Sequence, residues 1–223
     1  MYKLFVIDAP DGAGKATQVK KLQERLESEG YKVRVISYPT YGEKHCVFVE
    51  MYLNGEFGTN PYDVSPKLAS SFYALNRYAD YMTDWKKDYE KGVIILADRY
   101  TTSNMIHQAA KFKTNEEKDE FINWLTDLEY NINGIPEPTA VLYLDVAPEV
   151  TAQLRENRLN KIDGTESKDI HESNLEYMRA SYETALYIAK QQNWITIPCT
   201  KGDTIDTIPA IHEKIYEQIT KLL

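Results

Sequence analysis

Short apolar runs alternate with longer amphipathic segments along the chain, and this alternation is the first guide to its fold. Five runs rich in β-branched residues predict strands at residues 3–9, 32–38, 93–98, 140–146 and 194–198. Each run is apolar at successive positions instead of every second one, which is typical of parallel strands covered by helices on both faces. The pattern predicts an α/β protein, a three-layer α/β/α sandwich around a five-stranded parallel sheet.

The amphipathic segments predict helices at residues 15–29, 65–91 with interruptions, 116–130, 148–158, 173–192 and 207–223. Glycine and proline break the segment 38–66, which we expect to be irregular and to arch over a pocket. The charged segment 160–172 has too few apolar residues to bury itself, so the region from about 155 to 172 is predicted to be a mobile lid. Neither segment reads as a domain boundary, and residues 1–223 are predicted to form a single domain.

The charge balance limits the partners that we expect. The formal net charge is −8, which argues against binding to nucleic acid or to an anionic membrane, because both require clustered basic residues. No stretch approaches the roughly 20 apolar residues of a membrane span. The two cysteines, Cys46 and Cys199, lack the spacing of a zinc or redox motif and are predicted to be free thiols. The sequence therefore predicts a soluble, cytoplasmic protein that holds any phosphate ligand locally.

A glycine-rich segment between the first predicted strand and the first predicted helix carries the most specific chemical signal. Its glycines allow backbone N–H groups to surround an anion, and a lysine at the helix start can reach the β- and γ-phosphates of a nucleotide. The segment resembles the P-loop pattern G-x-x-x-x-G-K-[ST], with Ala9 in place of the first glycine and Ala16 in place of the hydroxyl residue that contacts Mg²⁺. The predicted ATP-binding residues are Asp11, Gly12, Ala13, Gly14, Lys15, Ala16 and Thr17.

A second polar group, Asp98-Arg99-Tyr100, follows the third predicted strand. In a parallel sheet this position lies at the same edge as the phosphate loop. A carboxylate there can hold metal-bound water, and an arginine can bind a phosphate through two N–H groups. The alternative interpretation is a buried Asp–Arg ion pair that ends the strand.

Three motifs together resemble the thymidylate kinases. They are D-G-A-G-K-x-T-Q at residues 11–18, the pair Asn76-Arg77 on a predicted helix, and Asp98-Arg99-Tyr100 followed by Ser103 and Gln108. The resemblance extends over about residues 3–182. It implies a P-loop NTPase fold and a homodimer. It also implies an enzyme that uses Mg²⁺ and transfers the γ-phosphoryl group of ATP to dTMP.

The resemblance assigns roles to individual residues. It implies that Asp11 meets the 3′-hydroxyl of the acceptor sugar, that Tyr73 stacks on thymine, and that Arg77 bonds a carbonyl of the base. Arg99 would bind the acceptor phosphate as a catalytic residue beside Lys15. The carboxylate of Asp98 would help to organise Mg²⁺.

The resemblance also concerns the acceptor phosphate, the lid and the acceptor nucleoside, and Tyr41 is a predicted acceptor contact that departs from the family pattern. Tyr41 stands where many members carry an arginine that contacts the acceptor phosphate. Members with glycine at the position of Gly12 take catalytic cations from the lid, which implies that Arg155 and Arg158 act there. The remaining residues expected around the acceptor nucleotide are Tyr100, Ser103, Asn104 and Gln108.

Two other functions remain open at the level of the sequence. A kinase for a deoxynucleoside or for another pyrimidine monophosphate would use the same fold, and Asp8 is the nearby carboxylate that could serve a nucleoside kinase as a base. A catalytically impaired, nucleotide-binding regulatory module would explain why Ala16, Tyr41 and Ile170 all depart from the family pattern.

Overall fold

A parallel sheet forms the centre of the protein. A computed structural model describes residues 2–155, 175–202 and 204–223. The strands are β1 (Leu4–Asp8), β2 (Val33–Ser37), β3 (Ile94–Asp98), β4 (Ala140–Asp145) and β5 (Ile195–Pro198). Their order is β2-β3-β1-β4-β5, and every neighbouring pair is parallel. The five predicted strands and the α/β fold class are confirmed.

Helices cover both faces of this sheet. They are α1 (Lys15–Ser28), α2 (Val47–Leu53), α3 (Pro66–Asp80), α4 (Lys86–Glu90), α5 (Thr101–Ala109), α6 (Asn115–Thr126), α7 (Pro148–Arg155), α8 (Leu175–Gln191) and α9 (Ile208–Thr220). Two π-helical segments interrupt the pattern, with Tyr81–Trp85 joining α3 to α4 and Asp127–Ile132 continuing α6. A small antiparallel pair, β6 (Thr200–Lys201) and β7 (Thr204–Ile205), precedes α9.

The apolar strands are explained by burial on both sides. Successive side chains of a strand point to opposite faces of the sheet. Phe5 and Ile7 of β1 pack in a cluster with residues of α1 and α9, whereas Leu4 and Val6 pack in a second cluster that includes Trp85. Each fully buried aliphatic side chain of this kind stabilises the fold by about 1.5–3 kcal/mol relative to its exposed form.

Two helices were not predicted from the sequence, namely α2 and α5. Helix α2 lies in the segment that was expected to be irregular. Helix α5 lacks a clear apolar stripe because several residues on its buried side are polar, among them Thr101, Thr102 and Asn104. The helix starts directly after Asp98-Arg99-Tyr100, so it brings the rest of that motif to the sheet edge.

Helix α3 begins with two signals that fix its first turn. The side chain of Ser65 accepts a hydrogen bond from the backbone N–H of Leu68, and Pro66 occupies the first helical position, where its missing N–H costs nothing. Tyr73 and Arg77 are four residues apart within this helix, so their side chains lie on the same side. The start of α3 therefore determines where both of these predicted base-binding residues lie.

The predicted lid, about residues 155–172, lies almost wholly outside the described residues, and Arg158 lies there with it. Arg155 is the last residue of α7. Within the described ranges, no helix is both long enough and apolar enough to cross a lipid bilayer.

Candidate active site

The loop between β1 and α1 has the backbone of an anion site. Gly12 and Gly14 adopt φ angles of 88° and 85°, a conformation that glycine reaches without the strain of a side chain. The N–H of Ala13 donates to the carbonyl oxygen of Pro10 over 3.2 Å, which tightens the turn. No side chain caps the start of α1 at Gly14. The N–H groups of the first turn of α1 and the positive end of the helix dipole therefore point into the space that the loop surrounds.

Lys15 lies over this loop, and only 6% of the residue is exposed. Its Nζ donates to the carbonyl oxygens of Ala9 and Pro10 over 2.8 and 3.1 Å. Burial and, after it, the positive charge of Arg99 lower the pKa of Lys15 to about 8, although nearby carboxylates act in the opposite direction. The lysine is thus held by neutral carbonyl groups that a phosphate can replace.

A buried carboxylate lies beneath the loop. Asp8 is 1% exposed, and its Oδ1 accepts a hydrogen bond from the N–H of Ala9 over 2.8 Å. Its Oδ2 accepts hydrogen bonds from the hydroxyl groups of Thr102 and Ser103, each over 2.6 Å. The Nη1 of Arg99 lies 3.8 Å from Oδ1. Asp8 therefore joins the phosphate loop to the start of α5.

Arg99 faces the phosphate loop from the end of β3. Its φ angle of 68° is unusual for a residue with a side chain, and its N–H donates to the carbonyl oxygen of Ile7 over 3.2 Å. The guanidinium donates through Nη2 to Oδ1 of Asp11 over 2.6 Å and through Nη1 to Oγ of Ser103 over 3.0 Å. Burial opposes its charge, but the carboxylates of Asp11 and Asp8 outweigh burial and raise its pKa above the usual range. Arg99 is consequently a fixed positive charge.

Asp98 suits a hydrated cation. It is 8% exposed, and no hydrogen bond to its carboxylate is found among residues 2–155, 175–202 and 204–223. The same part of the chain contains no cluster of three or more histidine, cysteine, aspartate or glutamate residues that could hold a metal. Mg²⁺ commonly uses only one or two carboxylates and takes its other ligands from water and phosphate oxygens. A single open carboxylate beside Lys15 therefore fits Mg²⁺ and does not fit a metal held by protein ligands alone.

Aromatic residues of α2, of α3 and of the segment before α2 pack together into an aromatic wall. Tyr73 meets the ring of Tyr52 edge to face, with 6.2 Å between ring centroids. Tyr41 and Tyr73 both pack against the apolar cluster that includes Val49 of α2. Tyr41 also lies close enough to Arg99 to contribute to its raised pKa. The segment that was predicted to arch over a pocket thus brings Tyr41 towards Arg99.

Arg77 makes a buried ion pair that the sequence did not indicate. It is 2% exposed, and its Nε donates to Oε1 of Glu129 over 3.0 Å, while Nη2 donates to the same oxygen. Glu129 lies in the π-helical segment after α6 and has no exposed surface. Glu129 falls within the predicted helix 116–130, and no local signal identified it as the partner of Arg77.

Two residues predicted to contact the acceptor are fully buried in the structure. Tyr100 has no exposed surface, because its ring packs in the core beside Trp85 and its hydroxyl donates to the carbonyl oxygen of Pro136 over 2.9 Å. Gln108 is also fully buried, and its side-chain amide makes no hydrogen bond to the described residues. The roles of Tyr100 and Gln108 as ligand contacts stay predictions.

Asn104 is 4% exposed and hydrogen-bonds Ser70 of α3, with its Oδ1 accepting from the hydroxyl group over 3.3 Å. Asn76, the first residue of the Asn-Arg pair, donates through Nδ2 to Oγ1 of Thr40 over 2.6 Å. It therefore holds the segment that carries Tyr41 against α3. The role of Asn104 as a ligand contact stays a prediction.

A pocket beside the phosphate loop contains residues that the sequence did not single out. Its lining includes Ala9, Pro10, Asp11, His107, Tyr143 and Tyr177. The ring of His107 stacks on that of Tyr177 with centroids 6.2 Å apart, and the Tyr177 hydroxyl donates to the His107 carbonyl oxygen over 2.6 Å. Burial and the charge of Arg99 lower the pKa of His107 to about 4, so the imidazole is neutral at pH 7. His107 lies four residues after Ser103, so both residues are on the same side of α5. This spacing is the sequence signal that could have identified His107 as a residue of the site.

The geometry defines a class of protein before any comparison is made. A buried parallel strand leads into a glycine loop and then a lysine at a helix start, with an Asp-Arg pair at the end of the neighbouring strand. This arrangement defines a P-loop nucleotide-binding protein with a phosphotransfer site.

Comparison with known proteins identifies the family. Residues 7–211 match the family model described as thymidylate kinase, so the chain belongs to the thymidylate kinase family of nucleoside monophosphate kinases. The chain is 26% identical over 220 residues to a thymidylate kinase of Plasmodium falciparum, which covers 99% of this chain and 90% of that protein. It is 28% identical over 195 residues to a thymidylate kinase of Mycobacterium tuberculosis, covering 84% and 86%. A probable thymidylate kinase of Methanosphaera stadtmanae is 27% identical over 222 residues, with 98% of each chain covered.

The lowered pKa of Lys15 predicts that ATP binding takes up protons at pH 8. A bound triphosphate favours the charged lysine and raises its pKa, so up to about half a proton per site enters on binding at pH 8 and almost none at pH 6. Titration calorimetry in two buffers with different ionisation enthalpies measures this uptake. Lys15→Arg keeps the charge at every pH and serves as the control. Equal binding heats in both buffers for the wild type at pH 8 would contradict the prediction.

Proposed function

We propose that the protein transfers the γ-phosphoryl group of ATP to dTMP, giving dTDP and ADP. The observation that carries this proposal is the meeting of Lys15, Arg99 and Asp11 at one edge of the sheet, where Arg99 and Asp11 are 2.6 Å apart. Two cations at this position can serve two phosphate groups, and the carboxylate between them can select a sugar hydroxyl. Family membership gives the same assignment.

The donor would occupy the phosphate loop. The N–H groups of residues 11–17 and the ammonium of Lys15 would surround its β- and γ-phosphates. Asp98 would hold Mg²⁺ through its carboxylate and through water, since Ala16 offers no hydroxyl group. The bound cation would neutralise charge on the phosphate oxygens. Arg155 and Arg158 belong to the proposal as lid cations.

The acceptor would lie between α3 and α5. Asp11 would accept a hydrogen bond from the 3′-hydroxyl group, and Arg99 would bind the 5′-phosphate with help from the hydroxyl of Tyr41. No general base is needed, because the attacking phosphate oxygen is already an anion. The residues must instead align the phosphates of ATP and dTMP and supply positive charge around the γ-phosphoryl group that is transferred.

The base would lie against the aromatic wall. Tyr73 would stack on thymine, and Arg77 would donate a hydrogen bond to a carbonyl of the ring. Ser103 and Asn104 would line the opposite side from α5. A pyrimidine carbonyl is the matching partner for a guanidinium N–H, and the amino group of cytosine is not.

The structure disfavours the nucleoside kinase alternative. Such an enzyme needs a carboxylate that can take the proton of a 5′-hydroxyl, and Asp8 was the candidate. Asp8 is 1% exposed and already accepts three hydrogen bonds, so it is not available to a ligand. The regulatory alternative is disfavoured because Lys15, Asp98 and Arg99 all face the same edge of the sheet.

A coupled ADP-release assay tests the proposed reaction, with ATP and Mg²⁺ as donor and with dTMP, dUMP, dCMP and thymidine offered separately. We expect activity on dTMP that Lys15→Ala and Arg99→Ala each reduce at least about a hundredfold, because each removes a charge that contacts a reacting phosphate. Asp206→Asn, which changes a carboxylate paired with Lys214 far along the chain, should leave the activity intact. Activity on thymidine alone would replace dTMP by a nucleoside, and ATP binding without turnover of any acceptor would support the regulatory module.

An exposed apolar surface supports a homodimer as part of this proposal. Leu68 and Leu75 flank Phe72 on one side of α3, and Phe72 stacks on Phe48 of α2 with ring centroids 5.9 Å apart. Phe48, Leu68 and Leu75 are 53%, 52% and 58% exposed. Contiguous apolar surface of this kind marks an interaction site, and a second copy of the chain is the partner that the family resemblance implies.

A cytoplasmic location is proposed as well, since Cys46 and Cys199 are free thiols.

Light scattering coupled to size-exclusion chromatography tests the dimer. At micromolar concentration we expect twice the chain mass of 25.8 kDa. Leu75→Glu places a charge in the apolar surface and should give the monomer mass. Ile132→Glu, at a site 70% exposed and outside this surface, is the matched control and should remain dimeric. A monomer mass for the wild type would contradict the proposed dimer.

A further inference from the structure

The ion pair between Arg77 and Glu129 is the most deeply buried charged contact described above. Arg77 lies in α3 and Glu129 in the π-helical segment after α6, and they are 2% and 0% exposed. Both hydrogen bonds from the guanidinium, through Nε and Nη2, end on one carboxylate oxygen, Oε1. The pair therefore links two helices that lie on the same face of the molecule.

Stability alone does not account for this pair. Moving two charges out of water carries a penalty that their attraction offsets only in part, and a pair of well-packed apolar side chains is often as stable. The second oxygen of Glu129, Oε2, is buried and makes no hydrogen bond within the described part of the chain. A carboxylate placed for stability would have both oxygens bonded.

The geometry leaves one edge of Arg77 available. Nε and Nη2 form one side of the planar guanidinium, and Glu129 occupies that side. Nη1 lies on the other side, and the structure shows no hydrogen bond from it to residues 2–155, 175–202 or 204–223. Two donors held by one carboxylate oxygen fix the plane of the group, so the direction of Nη1 is fixed too.

Neighbouring polar groups do not compete for that edge. After Glu129, the titratable groups with the largest influence on the pKa of Arg77 are Tyr100 and Tyr38. The hydroxyl of Tyr38 donates to Oδ2 of Asp80 over 2.7 Å, and that of Tyr100 donates to the carbonyl oxygen of Pro136 over 2.9 Å. Neither hydroxyl oxygen accepts a hydrogen bond from Arg77 in the described part of the chain, and Glu129 is the group that holds Arg77.

We propose that Glu129 is a positioning residue for acceptor recognition, which holds Arg77 so that Nη1 donates to a ring carbonyl of the pyrimidine base. This inference rests on the proposed function, because it assigns Arg77 to the base of the acceptor. The π-helical segment supports it, since such interruptions of a helix occur frequently at functional sites. Tyr73, one turn before Arg77, would stack on the same base.

Steady-state kinetics of two substitutions test the role. Glu129→Gln removes the charge. Glu129→Asp keeps the charge but shortens the side chain by one methylene group, which moves the carboxylate away from Arg77. Both should raise the KM for dTMP roughly tenfold, because the guanidinium loses its fixed direction and with it a hydrogen bond to the base. The KM for ATP and the kcat at saturating dTMP should stay within about twofold of the wild type, since neither depends on the base.

Leu125→Ala is the matched control. Leu125 is fully buried in α6, four residues before Glu129, and packs in an apolar cluster with Met105 and Phe121. It should lower the thermal unfolding temperature without changing the KM for dTMP. Substitutions of Glu129 that leave the KM for dTMP unchanged, or that change both substrates alike, would overturn the positioning role. Glu129→Asp decides the question if Glu129→Gln does not fold. A wild type inactive on dTMP would overturn the proposed function itself.

Discussion

The buried carboxylate of Asp8 joins three parts of the chain on which the site depends. It accepts hydrogen bonds from the N–H of Ala9 in the phosphate loop and from the hydroxyl groups of Thr102 and Ser103 in α5, and its Oδ1 is 3.8 Å from Nη1 of Arg99. A buried charge is tolerated only when such contacts replace its hydration. The loop and the arginine are therefore held at a fixed separation before any nucleotide binds, which is what electrostatic stabilisation of phosphoryl transfer requires.

Two arginines, Arg99 and Arg77, are each held in place by carboxylates. Arg99 is held by Asp11 and Asp8 beside the phosphate loop, and Arg77, the predicted base-binding residue, is held by Glu129. An arginine that is ordered in advance loses less side-chain entropy when it meets its ligand. Each hydrogen bond to a ligand would therefore contribute more to binding, and in the proposed complex the acceptor spans the distance between the two arginines.

Local features were predictable from the sequence, and features that depend on distant contacts were not. The strands and the phosphate loop follow from apolar runs and from glycine spacing, which act over a few residues. Tyr100 and Gln108 match a family motif, but the direction of each side chain depends on how α5 packs, and both turn into the interior. The local sequence does not mark Glu129 as a partner of Arg77, because the two residues are 52 positions apart and meet only through the folding of α3 and the π-helical segment. The predicted lid lies outside the described residues.

The most direct test of this account is the kcat/KM for dTMP of Asp8→Asn, measured beside its thermal unfolding. The substitution keeps the shape of the side chain and removes the charge that orders the loop, Ser103 and Arg99. We expect a folded protein whose kcat/KM falls by about tenfold to a hundredfold, the usual effect of losing hydrogen bonds to a charged group. A folded Asp8→Asn protein with the wild-type kcat/KM would contradict the claim that this carboxylate assembles the site.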